Sequence, residues 1–261
     1  GNRLGLRLVR GSHIIVRRLF DHDQPYFLQL EDGRIIFAIP YERDFTLIGT
    51  TDVDHEGDAG AAACSNAERD YLIAAANSFF RSGISRDDIV TTFSGVRPLY
   101  DDGASSASAA TRDYVLTCED EGGAAALVNV FGGKITTYRR LAEHVMDSLH
   151  TYFPALGKTW SGGEPLPGGD FDIGDRHELV LRLQRSFEFL TAEWATRLVT
   201  AYGTDAFMIL EGAVSREDLG QHFGGTLHAR EVDWLVTREW ATSADDILWR
   251  RSKLGLVLTA A

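Results

Sequence analysis

The chain has 261 residues, 44% of them apolar and 25% charged, with a formal charge of -12 at pH 7. This is ordinary globular composition, with enough chain to bury a sizeable core; its acidic balance repels nucleic-acid phosphates and anionic lipid, so nucleic acid is excluded as a default partner. No apolar run approaches the roughly 18–20 residues of a membrane span, no basic-then-apolar leader is visible, and Cys64 and Cys118 lack metal-ligand spacing, as expected of two reduced thiols.

Polar and apolar residues alternate from the outset over 4–9, as though the chain began inside a folded domain. Ile14, Ile15 and Val16 follow as a β-branched run. Residues 26–30 and 35–39 flank Glu31, Asp32, Gly33 and Arg34, two period-2 runs around an Asp-Gly turn that predict a hairpin. Residues 45–48 form a further strand running into Gly49, Thr50, Thr51 and Asp52. Ser65 and Glu68 have capping-box spacing, so a helix is expected with Tyr71, Leu72, Ala75 and Phe79 on one face. Residues 89–96 return to β character, 101–110 read as a loop, and 114–116 and 127–131 are two more strands. A helix after Lys134 would carry Tyr138, Leu141, Val145 and Leu149 on one face.

Composition shifts at 154–174, where Pro154, Pro165 and Pro167 sit among glycines. That stretch marks a candidate boundary. Beyond it the pattern is nearly all helical, with Leu179, Leu183 and Phe187 as one stripe and Val232, Leu235, Val236 and Trp240 as another. The expected fold class is α+β: a mixed or antiparallel sheet with flanking helices in residues 1–153, a linker at 154–175, and an all-helical domain over 176–261.

Several segments hold groups able to do chemistry. Gly132, Gly133 and Lys134 separate a strand from a helix. Paired glycines let backbone approach a ligand, and a helix start offers unpaired N–H groups to an anion or ring oxygen. Taken alone, a Gly-Gly turn with a solvated lysine is the simpler reading. Arg97 lies between a glycine-containing strand and Pro98 and suits bidentate binding of phosphate or carboxylate. Alone it reads first as a surface salt bridge, and Arg112 is open to the same two readings, with Asp113 beside it favouring the salt bridge further. His13 stands before a β-branched run; a lone histidine is more often structural. Thr50, Thr51 and Asp52 end a strand, where turn chemistry accounts for them. There is no nucleophile elbow, Walker loop, zinc spacing or Gly-x-Gly-x-x-Gly after a strand.

Taken in order, seven segments resemble one family. They are Gly-Ser-His-Ile-Ile-Val at 11–16, Leu-Ile-Gly-Thr-Thr-Asp at 47–52, Ser-Arg-Asp-Asp-Ile-Val at 85–90 and Phe-Ser-Gly-Val-Arg-Pro-Leu at 93–99. Thr-Arg-Asp-Tyr at 111–114, Phe-Gly-Gly-Lys-Ile-Thr-Thr-Tyr-Arg at 131–139 and Ala-Asp-Asp-Ile-Leu-Trp-Arg-Arg-Ser-Lys-Leu-Gly at 244–255 complete the set. The chain resembles the respiratory, FAD-dependent glycerol-3-phosphate dehydrogenases over nearly its whole length, with Arg17 and Thr91 departing from the family pattern.

The resemblance implies a longer protein whose other half carries the Rossmann-type FAD fingerprint. This chain would then supply the substrate domain, a returning strand and helix of the flavin domain, and a helical cap. It implies oxidation of sn-glycerol 3-phosphate to dihydroxyacetone phosphate, with electrons passing through FAD to membrane quinone. A glycerol-3-phosphate oxidase using oxygen is the alternative. Arg97, Arg112, Thr51 and Asp52 would bind substrate, and His13, Arg97 and Lys134 would act in catalysis. Gly132, Gly133, Lys134, Ile135 and Thr136 would meet the flavin. The chain alone is expected to be inactive and without tightly held FAD. Its strand at 127–131, an apolar run suited to burial on both faces, would invite self-association. The full-length enzyme would be cytoplasmic and peripheral on the inner membrane. In a rival reading residues 176–261 dock a partner or membrane through Trp249, Arg250, Arg251 and Lys253.

Overall fold

In the computed structural model, residues 5–101, 103, 111–120 and 125–258 are described. Leu4 and most of the 101–110 loop lie outside them. The chain divides into two compact units, Gly1–Gly162 and Gly163–Ala261, and the division falls within the glycine- and proline-rich stretch.

In the first unit, the long strand β1 (Leu6–Arg17) is the spine of a six-stranded sheet. Its neighbours are β2 (Tyr26–Gln29), β3 (Ile35–Tyr41), β4 (Phe45–Gly49), β5 (Val53–Asp54) and β6 (Ile89–Tyr100). The order is β2-β3-β4-β1-β5, with β6 also paired along β1, and every pairing is antiparallel. The expected hairpin forms between β2 and β3, with Gly33 at φ 82° in its turn, a conformation glycine adopts without a Cβ penalty.

Helix α1 (Asn66–Asn77) covers one face. Ser65 and Glu68 close the capping box at its start. Leu72, Ala75 and Ala76 pack on Ile14, Val16, Ile36, Ala38 and Ile48. Phe79 does not join that stripe. The helix stops at Asn77, whose side-chain amide bonds both the N–H and the carbonyl of Ile84, and Phe79 is left exposed.

Because strand side chains alternate, the other face of the sheet carries a separate set. One row runs straight across five strands, from Phe27 and Phe37 through Gly49 to His13 and Phe93.

Strands β7 (Tyr114–Glu119) and β8 (Leu127–Gly132) form a separate antiparallel pair. The pair meets the end of β6, where the Tyr100 and Phe131 rings lie 6.3 Å apart. Among the described residues β8 pairs with β7 alone, and its Leu127 and Val130 are exposed. The helix after the glycines starts later than expected: a 3-10 turn, Ile135–Thr137, precedes α2 (Tyr138–Leu149). Leu141, Val145 and Leu149 are half-buried and Tyr138 is exposed.

The second unit contains α3 (Arg176–Ser186), α4 (Ala192–Tyr202), α5 (Asp205–Leu210) and α6 (Ala229–Glu239). It is not all helical. Strands β9 (His222–Gly224) and β10 (Leu227–His228) pair between α5 and α6. Gly224 and Gly225 both have positive φ, at 117° and 53°, which reverses the chain where a helix would carry it on. Leu179, Leu183, Leu198, Leu210, Leu219 and Leu235 lie in its core.

The predicted stripe on α6 is also corrected. Leu235 is buried, but its partner one turn earlier is Glu231, at 4% exposure, while Val236 and Trp240 are exposed. Trp240 has left the helix in a left-handed conformation. Arg250 pairs with Asp246 at 2.8 Å, and Arg251 donates to the Glu239 carbonyl, so both charges are engaged within the chain. Trp249 lies over Gly255. Among the described residues no helix is long and apolar enough to cross a membrane.

Candidate functional site

Three segments converge on the face of the sheet opposite α1. β1 supplies Gly11 and His13, the chain after β4 supplies Thr50 and Asp52, and β6 supplies Phe93 and Arg97.

Arg97 Nη1 donates to Asp52 Oδ1 at 2.9 Å and Nη2 to Thr50 Oγ1 at 3.2 Å. Arg112 Nη2 donates to the other Asp52 oxygen at 3.1 Å. One carboxylate therefore holds two guanidiniums, and the trio carries a net single positive charge. That arrangement suits an anion such as phosphate. Arg112 pairs with Asp52, sixty residues away in the sequence.

Gly11 gives Arg97 its room. A methyl at Gly11 would lie 2.5 Å from both Nη atoms and 2.7 Å from Thr50 Oγ1. Glycine inside a strand often marks such a close approach. Gly11→Ala is therefore expected to push Arg97 off Asp52 and weaken inorganic phosphate binding about 10–100-fold, the worth of one charge-assisted hydrogen bond. The melting temperature should move little, because a flexible side-chain end yields. Phosphate titration beside a thermal melt checks this, and unchanged affinity would remove Arg97 from the anion site.

The His13 ring stacks on Phe93 at 4.7 Å with an 8° interplanar angle. Its opposite neighbour is Gly49, where a Cβ would fall 2.2 Å from the ring. Nδ1 is buried without a hydrogen-bond partner, which leaves Nε2 as the nitrogen open to a proton. Burial, and secondly the charge of Arg97, lower the His13 pKa to about 4. The imidazole is thus neutral at pH 7, the form a proton acceptor needs.

Thr51 turns to the α1 face. It is 4% exposed and its hydroxyl donates to Glu68 Oε1 at 2.8 Å. It therefore fixes the segment that carries Asp52 and does not itself face the Asp52, Arg97 and Arg112 cluster.

Gly132 and Gly133 sit beside the end of β6. A Cβ on Gly132 would lie 3.1 Å from the Tyr100 nitrogen and the Asp113 carbonyl, and the two glycines have φ 71° and 99°. Lys134, Ile135 and Thr136 are exposed. The structure does not bring Lys134 into the ion-paired cluster of Asp52, Arg97 and Arg112.

Sequence reasoning missed Ser12, Ser94, Glu68 and Phe93. Glu68 was visible only as a helix cap, and Gly11, a glycine in a strand next to a histidine, was the one local hint of close packing.

Residues 1–139 match the model of the FAD dependent oxidoreductases, and 161–261 match the C-terminal domain of alpha-glycerophosphate oxidase. The chain is 46% identical to the aerobic glycerol-3-phosphate dehydrogenase of Escherichia coli, over 98% of this chain and 51% of that one. It is equally 46% identical to the D-erythritol 1-phosphate dehydrogenase of Brucella abortus, with the same shares covered. The glycerol-3-phosphate dehydrogenase of Bacillus halodurans, solved in complex with FAD, superposes with a TM-score of 0.74 at 27% identity, over 95% of this chain and 48% of that one. The chain spans about half the length of the curated relatives it matches. With its β1–β6 sheet and the Gly132 turn inside the matched region, the chain belongs to the family of FAD dependent oxidoreductases.

Proposed function

We infer that this chain supplies the substrate-facing part of a dehydrogenase that oxidises sn-glycerol 3-phosphate to dihydroxyacetone phosphate. The observation that carries the reading is the Asp52-held pair Arg97 and Arg112 close to a neutral histidine.

The residues present fit FAD. Gly132 and Gly133 turn the chain at positive φ, close against Tyr100, Asp113 and Tyr114, and the turn after Lys134 has no side-chain cap. Its first N–H groups suit an electron-rich ring oxygen, and Lys134 adds a positive charge. FAD, when bound, supplies the hydride acceptor and the relay of electrons to quinone. Arg97 and Arg112 hold the substrate phosphate, and Asp52 and Thr50 keep Arg97 in place. His13 Nε2 takes the C2 hydroxyl proton as the C2 hydrogen leaves with its electron pair, so that C2 becomes the ketone carbon. Phe93 fixes the plane of the imidazole. The exposed β8 is where a further sheet, or a second copy of the chain, pairs. The quinone acceptor places the working enzyme on a membrane face.

The test is a chimera in which this chain replaces the matching half of the Escherichia coli relative. Dye reduction is expected with sn-glycerol 3-phosphate and not with glycerol. Turnover of D-erythritol 1-phosphate in its place would change the substrate while keeping the chemistry. Peroxide formation without dye would make oxygen the acceptor. A flavin-loaded chimera that reduces dye with neither phosphate overturns the reading.

A further inference from the structure

Glu68 is far more heavily engaged than a helix cap requires. The cap uses Oε2, which accepts from the Ser65 N–H at 2.9 Å and the Ser65 hydroxyl at 2.7 Å. The other oxygen, Oε1, accepts from the Ser12 hydroxyl at 2.7 Å and the Thr51 hydroxyl at 2.8 Å. Arg10 lies across both, with Nη2 at 2.9 Å from Oε2 and Nε at 3.3 Å from Oε1. The residue is 4% exposed. Burial alone would raise its pKa, but the hydrogen bonds from Ser65, Ser12 and Thr51 outweigh that and hold it at about 2.

Each partner of Oε1 sits next to a residue of the candidate site. Ser12 precedes His13, and Thr51 lies between Thr50 and Asp52. Ser12 also bonds the Ser94 hydroxyl at 2.8 Å, and Ser94 follows Phe93. Ser12 and Thr51 are locked to each other as well: the Ser12 N–H donates to Thr51 Oγ1 at 2.9 Å and the Thr51 N–H to the Ser12 carbonyl at 3.3 Å. Side-chain alternation puts Ser12 and His13 on opposite faces of β1, so this network works from the rear of the sheet.

We propose that Glu68 is a positioning residue for the anion site, fixing Thr51 and Ser12 from the α1 face and thereby setting where Asp52 holds Arg97 and Arg112. As a role in substrate binding, this rests on the reading that the cluster takes a phosphate. A helix cap alone is served as well by glutamine. The hub is not. One end of a glutamine amide is a donor, so it meets donor to donor either the Ser65 N–H or the Arg10 Nε–H, and in the second case the Ser12 and Thr51 hydroxyls must turn round to accept.

Two variants separate the roles. Glu68→Gln keeps the size and a cap acceptor; Ser65→Ala removes the cap partner and leaves the Oε1 bonds. In this chain, hydrogen exchange at the Ser12 and Thr51 amides is expected to quicken about tenfold or more in Glu68→Gln, as one strong bond is lost. The ladder amides of residues 14–16 should keep their protection. Ser65→Ala should quicken only the first turn of α1. In the chimera, Glu68→Gln should raise KM for sn-glycerol 3-phosphate about tenfold with kcat changed about twofold or less, the signature of lost ground-state binding. Ser65→Ala should leave KM alone. Exchange that spreads equally over residues 14–16 makes Glu68 merely structural and overturns the proposal. So does a KM rise reproduced by Ser65→Ala, or no change at Thr51. If the chimera turns over no polyol phosphate, the functional reading fails, and the exchange measurement alone decides whether Glu68 holds Thr51.

Discussion

Glu231→Ala is expected to cost the 163–261 unit roughly 3–5 kcal/mol, the usual cost of breaking a buried ion pair from one side. Glu231 is 4% exposed. It takes both terminal nitrogens of Arg197 at 2.6 Å and the Tyr202 hydroxyl at 2.7 Å. Burial, and then the charge of Glu231, push the Tyr202 pKa far above the ordinary phenol value, so that hydroxyl remains a donor. Removing the carboxylate takes two charge-assisted bonds from a guanidinium whose side chain is 16% exposed and leaves the phenol without its Glu231 acceptor. Total domain stabilities are about 5–15 kcal/mol, so the loss is a large share of the whole. Arg197→Met with Glu231→Leu and Tyr202→Phe should recover most of it, because the net worth of such a pair against apolar packing is small and no buried hydroxyl is then left without an acceptor. Denaturant melts of the single and the combined variant check this. A single replacement costing under about 1 kcal/mol would class the bridge with solvated surface pairs.

That same bridge shows where the sequence stopped being readable. Apolar periodicity on α6 picks out Val236 and Trp240 and passes over Glu231. A glutamate at a core position looks wrong until Arg197 is brought to it from another helix, and nothing local announces that pairing. The legible parts were local ones. The hairpin at 26–39 follows from alternation about an Asp-Gly turn, and the capping box from the spacing of Ser65 and Glu68. Only one of the two Glu68 oxygens serves that cap. The other binds Ser12 and Thr51, and no spacing rule reaches across 56 residues. Asp52 met the same limit: it read as a turn residue because its partners, Arg97 and Arg112, lie 45 and 60 residues on. The family resemblance placed His13, Arg97, Arg112 and Asp52 on one list without geometry. The structure adds that Asp52 is the bridge, that Thr51 faces the other way, and that Lys134 stands apart from the ion pairs.

His13→Asn in the chimera is expected to lower kcat by about 100–10,000-fold, the range for a lost general base, with KM for the phosphate ester near that of the parent. Asparagine keeps a polar group of similar reach but cannot carry a proton, while Arg97 and Arg112 still hold the phosphate. The pH behaviour is more discriminating. With a pKa of about 4, His13 remains neutral well below pH 7. The acid limb of kcat/KM, which reports the free enzyme, should therefore lie near that value. A bound phosphate offsets the charge of Arg97, the second cause of the depression. The limb in kcat should accordingly fall at higher pH than the limb in kcat/KM, and both should vanish in His13→Asn. The ring can be titrated in this chain by NMR. Arg97→Gln should raise the His13 pKa by less than half of its shift, because burial is the larger cause. The folded-state pKa lies below the ordinary histidine value of 6.5, so protons favour the unfolded chain between the two. The contribution of His13 to stability is thus complete above about pH 6.5 and is lost as the pH falls towards 4. A titration near 6.5 in the folded chain would mean that the ring is solvated. Burial would then not be the main cause of its titration, and the acid limb of kcat/KM should move up to that value.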